Sequence, residues 1–175
     1  SWTPDVAPIL LDLESKKFDR RKWVWLSPPE ERQSWNGWTP MFPGYSFGGP
    51  SFVQFGKNNA DAVDDYVYVF SGDQWDNGSE LRLARVPKDR IMQLDAWAWA
   101  NMDGSGAVTW VDRQSSSKPV LTIDKHVSLP EMIYLTKLKR YLLLTWALHK
   151  DFNVSAGSEL TILEAENPWG PFRLV

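Results

Sequence analysis

Residues 50–91, PSFVQFGKNNADAVDDYVYVFSGDQWDNGSELRLARVPKDRI, decide the fold. The run Tyr66-Val67-Tyr68-Val69-Phe70 carries aromatic rings on one side of an extended chain and β-branched side chains on the other. Such a run predicts a strand buried on both faces, because successive side chains point to opposite sides of a sheet. Ser51 to Phe55 predicts a shorter strand before it, separated by the polar turn Gly56 to Asp61. The segment Ser71 to Ser79, dense in Asp, Asn and Gly, predicts a loop, and Glu80 to Val86 a further strand. Leu81 and Leu83 alternate there with Arg82 and Ala84, which predicts a single fully covered face. Pro87 opens an expected helical turn, PKDRI, since proline is tolerated at a first helical position.

The same unit recurs downstream. Pro50-Ser51-Phe52-Val53 is echoed by Pro130-Glu131-Met132-Ile133, and Tyr66 to Ser71 by Tyr141 to Trp146. Gly78-Ser79-Glu80-Leu81 returns letter for letter as Gly157-Ser158-Glu159-Leu160. The three matches are 80, 75 and 79 positions apart (Pro50 to Pro130, Tyr66 to Tyr141, Gly78 to Gly157). A near-constant separation across three strands in order argues for a repeated β unit, and repeats of two-faced sheets suggest propeller blades. This spacing exceeds the roughly 40–50 residues of compact blades, so long loops are expected.

Outward from these units the chain stays β-rich. Pro8 to Leu13 and Lys22 to Leu26 predict a hairpin, the outer part of a blade. Residues 28–50, rich in Pro, Gly, Trp and Ser, predict a structured loop whose aromatics (Trp35, Trp38, Phe42, Tyr45, Phe47) should pack down or line a cleft. Asp95 to Ala100 and Val108 to Trp110 flank a turn and predict another hairpin. Asn167 to Pro171 predicts a tight turn. Helix is expected only at Pro87 to Gln93 and in one turn near Glu30 to Gln33. The expected fold is all-β and propeller-type, with a partial blade and aromatic loop in 1–49 and blades in 50–114 and 115–175.

Composition narrows the function classes. The 175 residues suffice for one domain with a sizeable core. A net charge of −3 with 19 scattered basic residues predicts neither nucleic acid nor an anionic membrane as partner. There is no run of 18 apolar residues, and no cysteine for disulfide or thiol chemistry. Eleven tryptophans stand out. Indole fills β cores well and also stacks on the C–H faces of sugars, and most of these rings are expected in packing.

Together SFGGPSFVQFGK, DDYVYVFSGDQWDNGS, LARVPKDRI, PEMIYLTKLKRYLLLTW and ENPWGPF resemble the C-terminal half of propeller proteins of the domain-of-unknown-function 4185 type. The likeness covers roughly residues 45–173. That family is similar in style to five-bladed glycoside hydrolases acting on arabinans and related polymers. The resemblance implies a carbohydrate-active, secreted or extracellular protein whose partner is a polysaccharide or oligosaccharide. It also implies further N-terminal blades, or self-association to cover open sheet edges.

Glycoside hydrolysis needs two carboxyl groups across the scissile bond. The resemblance implies an acid Glu near the start of an inner strand, and Glu131, in Pro130-Glu131-Met132-Ile133-Tyr134, matches that setting. The first unit has Ser51 there, so a carboxylate at the second suggests a role; the bland alternative is a Glu paired with Arg140 or a loop N–H. Asp73 is the candidate second carboxylate, with Asp76 beside it and Trp75 between them. An Asp/Asn/Gly cluster is most often turn chemistry, and a structural calcium is the other reading, although the spacing matches no EF-hand loop. Where related glycosidases carry Asp before Pro-Ser, this chain has Gly49. Trp38, Trp75, Asp76, Trp146, His126 and His149 complete the candidate sugar contacts. No HxxxH or HExxH spacing is present, so no metal cofactor is expected. Two alternatives stay open: a non-catalytic carbohydrate-binding or protein-interaction propeller, and a polysaccharide lyase with a His or Tyr base.

Overall fold

The computed structural model describes residues 9, 10, 24, 25, 47, 49–74, 76–150 and 153–175. The fold is all-β. Among the described residues twelve short strands form antiparallel sheets, and helix is confined to isolated 3-10 turns. β1 (Ile9–Leu10) pairs with β2 (Val24–Trp25) within the expected N-terminal hairpin. The first large sheet is a meander of β3 (Ser51–Phe52), β4 (Tyr66–Gly72), β5 (Glu80–Pro87), β6 (Ala98–Met102) and β7 (Val108–Val111). The short β8 (Leu121–Thr122) joins the free end of β5, past the expected unit boundary at 114. The second sheet is a four-stranded meander: β9 (Ser128–Leu135), β10 (Arg140–Leu148), β11 (Ser158–Ala165) and β12 (Arg173–Leu174).

Residues 88–93 hold no α-helix, contrary to the sequence expectation. Pro87 ends β5, and the chain turns through i to i+3 bonds, Arg90 N–H to Pro87 O at 2.9 Å and Gln93 N–H to Arg90 O at 2.9 Å. The connection to β6 must reverse direction within a few residues, which leaves no length for α-helical turns. The expected single covered face of β5 is also corrected, because Ala84 and Val86 are as fully buried as Leu81 and Leu83. The expected turn at Glu30 to Gln33 and the aromatics Trp35, Trp38, Phe42 and Tyr45 lie outside the described residues; Phe47 is fully buried.

The repeat holds over four strands, β3 to β6 matching β9 to β12 while β7 and β8 have no counterpart among the described residues, and pairing registers define it better than letters do. Ser51 pairs with Phe70 and Phe70 with Leu83. In the second sheet Glu131 pairs with Leu144 and Leu144 with Ile162. The equivalent positions are therefore 80, 74 and 79 residues apart. The middle strand is displaced by one residue from the letter match of Tyr66 with Tyr141. A pair of buried hydroxyls supports the corrected register. Ser71 Oγ accepts from the Gly49 amide at 3.0 Å, and Thr145 Oγ1, 74 positions on, accepts from the Ser128 amide at 2.9 Å. Each hydroxyl ties the end of a second strand to the start of its first strand.

Call the face of the first sheet that carries Phe70 and Leu83 its front. That face packs on the back of the second sheet, which carries Met132, Tyr141, Leu143 and Leu163, and forms the main core. A smaller core lies on the back of the first sheet, where Val69, Ala84 and Val86 meet Phe47, Trp97 and Trp99. The sheets are also stitched together through backbone. Val53 N–H bonds Tyr68 O at 3.0 Å, while the next residue, Gln54, accepts from Tyr134 N–H at 2.9 Å in a parallel bridge to β9. The first strands of the two meanders therefore run side by side in one direction.

Candidate functional site

Asp73, Asp76, His126 and His149 lie at one end of the two sheets, where β4 and β10 finish and β9, β5 and β11 begin. Alternating strand direction sends the 73–79, 123–127 and 149–157 loops to that end together. They are bound to one another. Asn77, at φ 48°, copies a strand edge with its side-chain amide: Nδ2 donates to Leu148 O at 3.2 Å, and Oδ1 accepts from Leu148 N–H at 2.7 Å. Val127 N–H donates to Gly78 O at 2.8 Å. A Cβ on Gly78 would lie 2.4 Å from Val127 O and 2.5 Å from Asp73 Oδ1, so this position of the repeated Gly-Ser-Glu-Leu admits no side chain.

Asp73 has a structural task. Its Oδ1 accepts from the amides of Ser79 at 2.9 Å and Glu80 at 3.1 Å, closing the loop in the way short acidic side chains close turns. Asp76 is buried beside it. Among the described residues no three His, Asp or Glu side chains are grouped to hold a metal ion.

Glu131 stands apart from that loop, exposed on the front of the second sheet. Its Oε2 accepts a hydrogen bond from Ser51 Oγ at 3.2 Å, so the two repeat-equivalent residues touch each other. Arg140, the partner expected from sequence, instead bonds Glu166 at 3.1 Å. The strand is irregular just before Glu131. Leu129 and Pro130 oppose Thr145 alone, and Leu129 has φ 37°, a bulge with a non-glycine residue in left-handed backbone. Bulges of this kind re-aim the side chains that follow them. Register places Trp146, paired with Ser128 and Leu160, on the same face as Glu131, and its indole is half-buried.

The two histidines are held by local partners. His126 Nδ1 contacts Asp124 O at 2.6 Å, and its Nε2 meets the Glu159 carboxylate, fastening the strand-entry loop to β11. His149 Nδ1 contacts Ala156 O at 3.2 Å, its ring against Gly157, whose φ of 94° suits glycine. Trp38 and Trp75 lie outside the described residues.

One aromatic group carried no sequence signal of its own. Arg85 lies 4.3 Å from the Tyr66 ring centre and 4.1 Å from that of Trp110, and Trp110 meets Trp169 edge-on at 6.0 Å. Tyr68 packs on both tryptophans and donates from its hydroxyl to Asp64 Oδ2 at 2.7 Å. Burial, then this bond to Asp64, pushes the Tyr68 phenol well above its usual range. Burial, with Tyr134 nearby, pushes Tyr141 up to about 12.

No family model matches the chain, and no curated protein matches it. Among the described residues no helix is long and apolar enough to cross a membrane.

Proposed function

We propose that the two meanders are successive blades of a propeller-type domain that binds a polysaccharide at the loop end of its sheets, with Glu131 as the acid of a glycoside hydrolase. The observation that carries this reading is the sharing of one face by the exposed Glu131 carboxylate and the half-buried Trp146, next to a bulge. An indole face stacks on sugar C–H groups, and a neighbouring carboxyl can protonate a glycosidic oxygen. The blade reading is supported by the register-matched meanders and by their first strands running side by side and parallel. The resemblance to the five-bladed glycosidases points the same way.

A second reading, a binding propeller without catalysis, is favoured by Asp73. Its Oδ1 serves two backbone amides, which suits loop closure better than work opposite Glu131. The two readings separate in one experiment: reducing-sugar release and binding, measured on a panel of arabinans and other polysaccharides. For a hydrolase, Glu131→Gln lowers turnover by about 10²–10⁴-fold and leaves binding in place. For a binding module there is no turnover, and Trp146→Ala weakens binding while Glu131→Gln changes it little. A chain that neither binds nor cleaves any of the panel removes both readings.

A further inference from the structure

We propose that Arg85, clasped between Tyr66 and Trp110 with Trp169 beside them, forms a binding site for the carboxylate of an acidic sugar. That the ligand is a sugar rests on the polysaccharide reading above; the carboxylate site itself rests on Arg85 and its surroundings. Arg85 lies opposite Tyr68 on the front of the first sheet, near the end of β5. The site is therefore at the end of the sheets away from Asp73, His126 and His149. The Arg85 guanidinium carbon is 4.3 Å from the Tyr66 ring centre and 4.1 Å from that of Trp110. Ring faces hold a cation without consuming its N–H groups, of which a guanidinium has five. Among the described residues Arg85 has no hydrogen-bond or ion-pair partner, and its Nε is buried as well. The other half-buried arginines differ: Arg82 holds Glu80 at 2.7 Å and Arg140 holds Glu166 at 3.1 Å. The carboxylate of Asp64 is already engaged, Oδ1 accepting from Tyr66 N–H at 2.9 Å and Oδ2 from the Tyr68 hydroxyl at 2.7 Å. A buried donor without an acceptor is costly, and an acceptor that arrives with a ligand explains why this one is kept.

The surroundings select the class of anion. Unlike Nε, the two terminal nitrogens of Arg85 are not sealed from solvent, and they form the forked edge that a carboxylate matches in one plane. Tyr66, Trp110 and Trp169 are each half-buried, so part of every ring stays open near that edge. Indole and phenol rings stack on the C–H faces of sugars. A hexuronate carries its carboxylate and a C–H face on the same ring, so one residue of an acidic polysaccharide satisfies both features. Sulfate and phosphate have no C–H face, and the carboxylate of an Asp or Glu side chain sits on a flexible stem.

Titration calorimetry with short oligomers of galacturonate, glucuronate and mannuronate tests this, each set against its methyl ester, which keeps the sugar and removes the charge. At least one acid oligomer should bind about 10–100-fold more tightly than its ester. Arg85→Gln should abolish that preference, and Arg85→Lys, which keeps the charge but loses the fork, should weaken binding about 10-fold. Equal affinity for acid and ester overturns the proposal, as does an acid preference that survives Arg85→Gln. Inorganic sulfate or acetate binding as tightly as the acid oligomer overturns it in favour of a bare anion site. If no acid oligomer binds while neutral arabinan does, this site is overturned and the polysaccharide reading stands; if neither binds, both fall. Should the variants misfold, the Arg85 Nε–H resonance of the unsubstituted protein reads the same contact by NMR. It should shift with the acid oligomer and not with the ester, and an unmoved resonance overturns the site.

Discussion

Both ring nitrogens of His126 face groups that only accept, the Asp124 carbonyl and the Glu159 carboxylate. Two acceptors require two N–H donors, so the geometry calls for the imidazolium. The Asp124 contact first, and Glu159 with it, raise the His126 pKa above its ordinary value. A folded pKa above the unfolded one means that the stabilisation is complete below about pH 6.5 and is lost as pH rises through the folded value. The pair is partly solvated, so it contributes about 0–1 kcal/mol. In Glu159→Gln, the His126 titration followed by NMR should move down and the pH dependence of stability above about 6.5 should flatten. An unmoved titration would show that Glu159 does not hold the ring. At this scale sequence was informative about residue type and silent about partners. An Asp before a Gly-Ser pair reads as turn chemistry, and Asp73 does close the turn. No local pattern told that Glu131 would meet Ser51, which is 80 residues away in the chain.

Each second strand ends in a hydroxyl that caps the start of its neighbouring first strand. Thr145 Oγ1 accepts from Ser128 N–H and donates to backbone carbonyl oxygen, with Ser128 O at 3.1 Å and His126 O at 3.2 Å. Removing the Thr145 hydroxyl leaves the buried Ser128 amide without its acceptor, a loss of about 1–3 kcal/mol, whereas the amide of exposed Gly49 can turn to water. Thr145→Ala should lower stability by about that amount in urea titrations and Ser71→Ala by less, while Thr145→Ser stays near the parent. Equal losses would show that the Gly49 amide depends on Ser71 as fully as the Ser128 amide depends on Thr145. The letter match missed this equivalence by one residue because Tyr66 and Tyr141 drew the alignment. In a strand a shift of one residue exchanges the faces, so only the hydrogen-bond ladder could settle which side of β10 repeats which side of β4.

The two sheets share one core, and the same position in the repeat experiences different surroundings in each. Phe70 is fully buried between the sheets, whereas its equivalent Leu144 is half-buried on the front of the second sheet. Phe70→Ala should cost about 3–5 kcal/mol and Leu144→Ala under about 2 kcal/mol in the isolated chain, by thermal or denaturant unfolding. Costs of similar size would mean that Leu144 is covered as thoroughly as Phe70. This asymmetry belongs to the whole molecule. It follows from which sheet face has a neighbour among the described residues, and not from the side chains, which are apolar on both.

Sequence alone was enough for the all-β class, the order of the main strands, the hairpins and the existence of a repeat. Those features follow from alternation with a period of two and from local turn chemistry, both of which are written along the chain. The turn after Pro87 was misread as helical because proline suits a helix start as well as a strand end, and only the pairing of Pro87 with Tyr66 decides between them. The tertiary structure decided the register, the face on which Glu131 and Trp146 lie together, the closure of a loop by Asp73 and the unequal burial of equivalent front positions in the two sheets. These depend on contacts between residues far apart in the chain, which are set by how whole sheets pack and leave no periodic mark in the residues that make them.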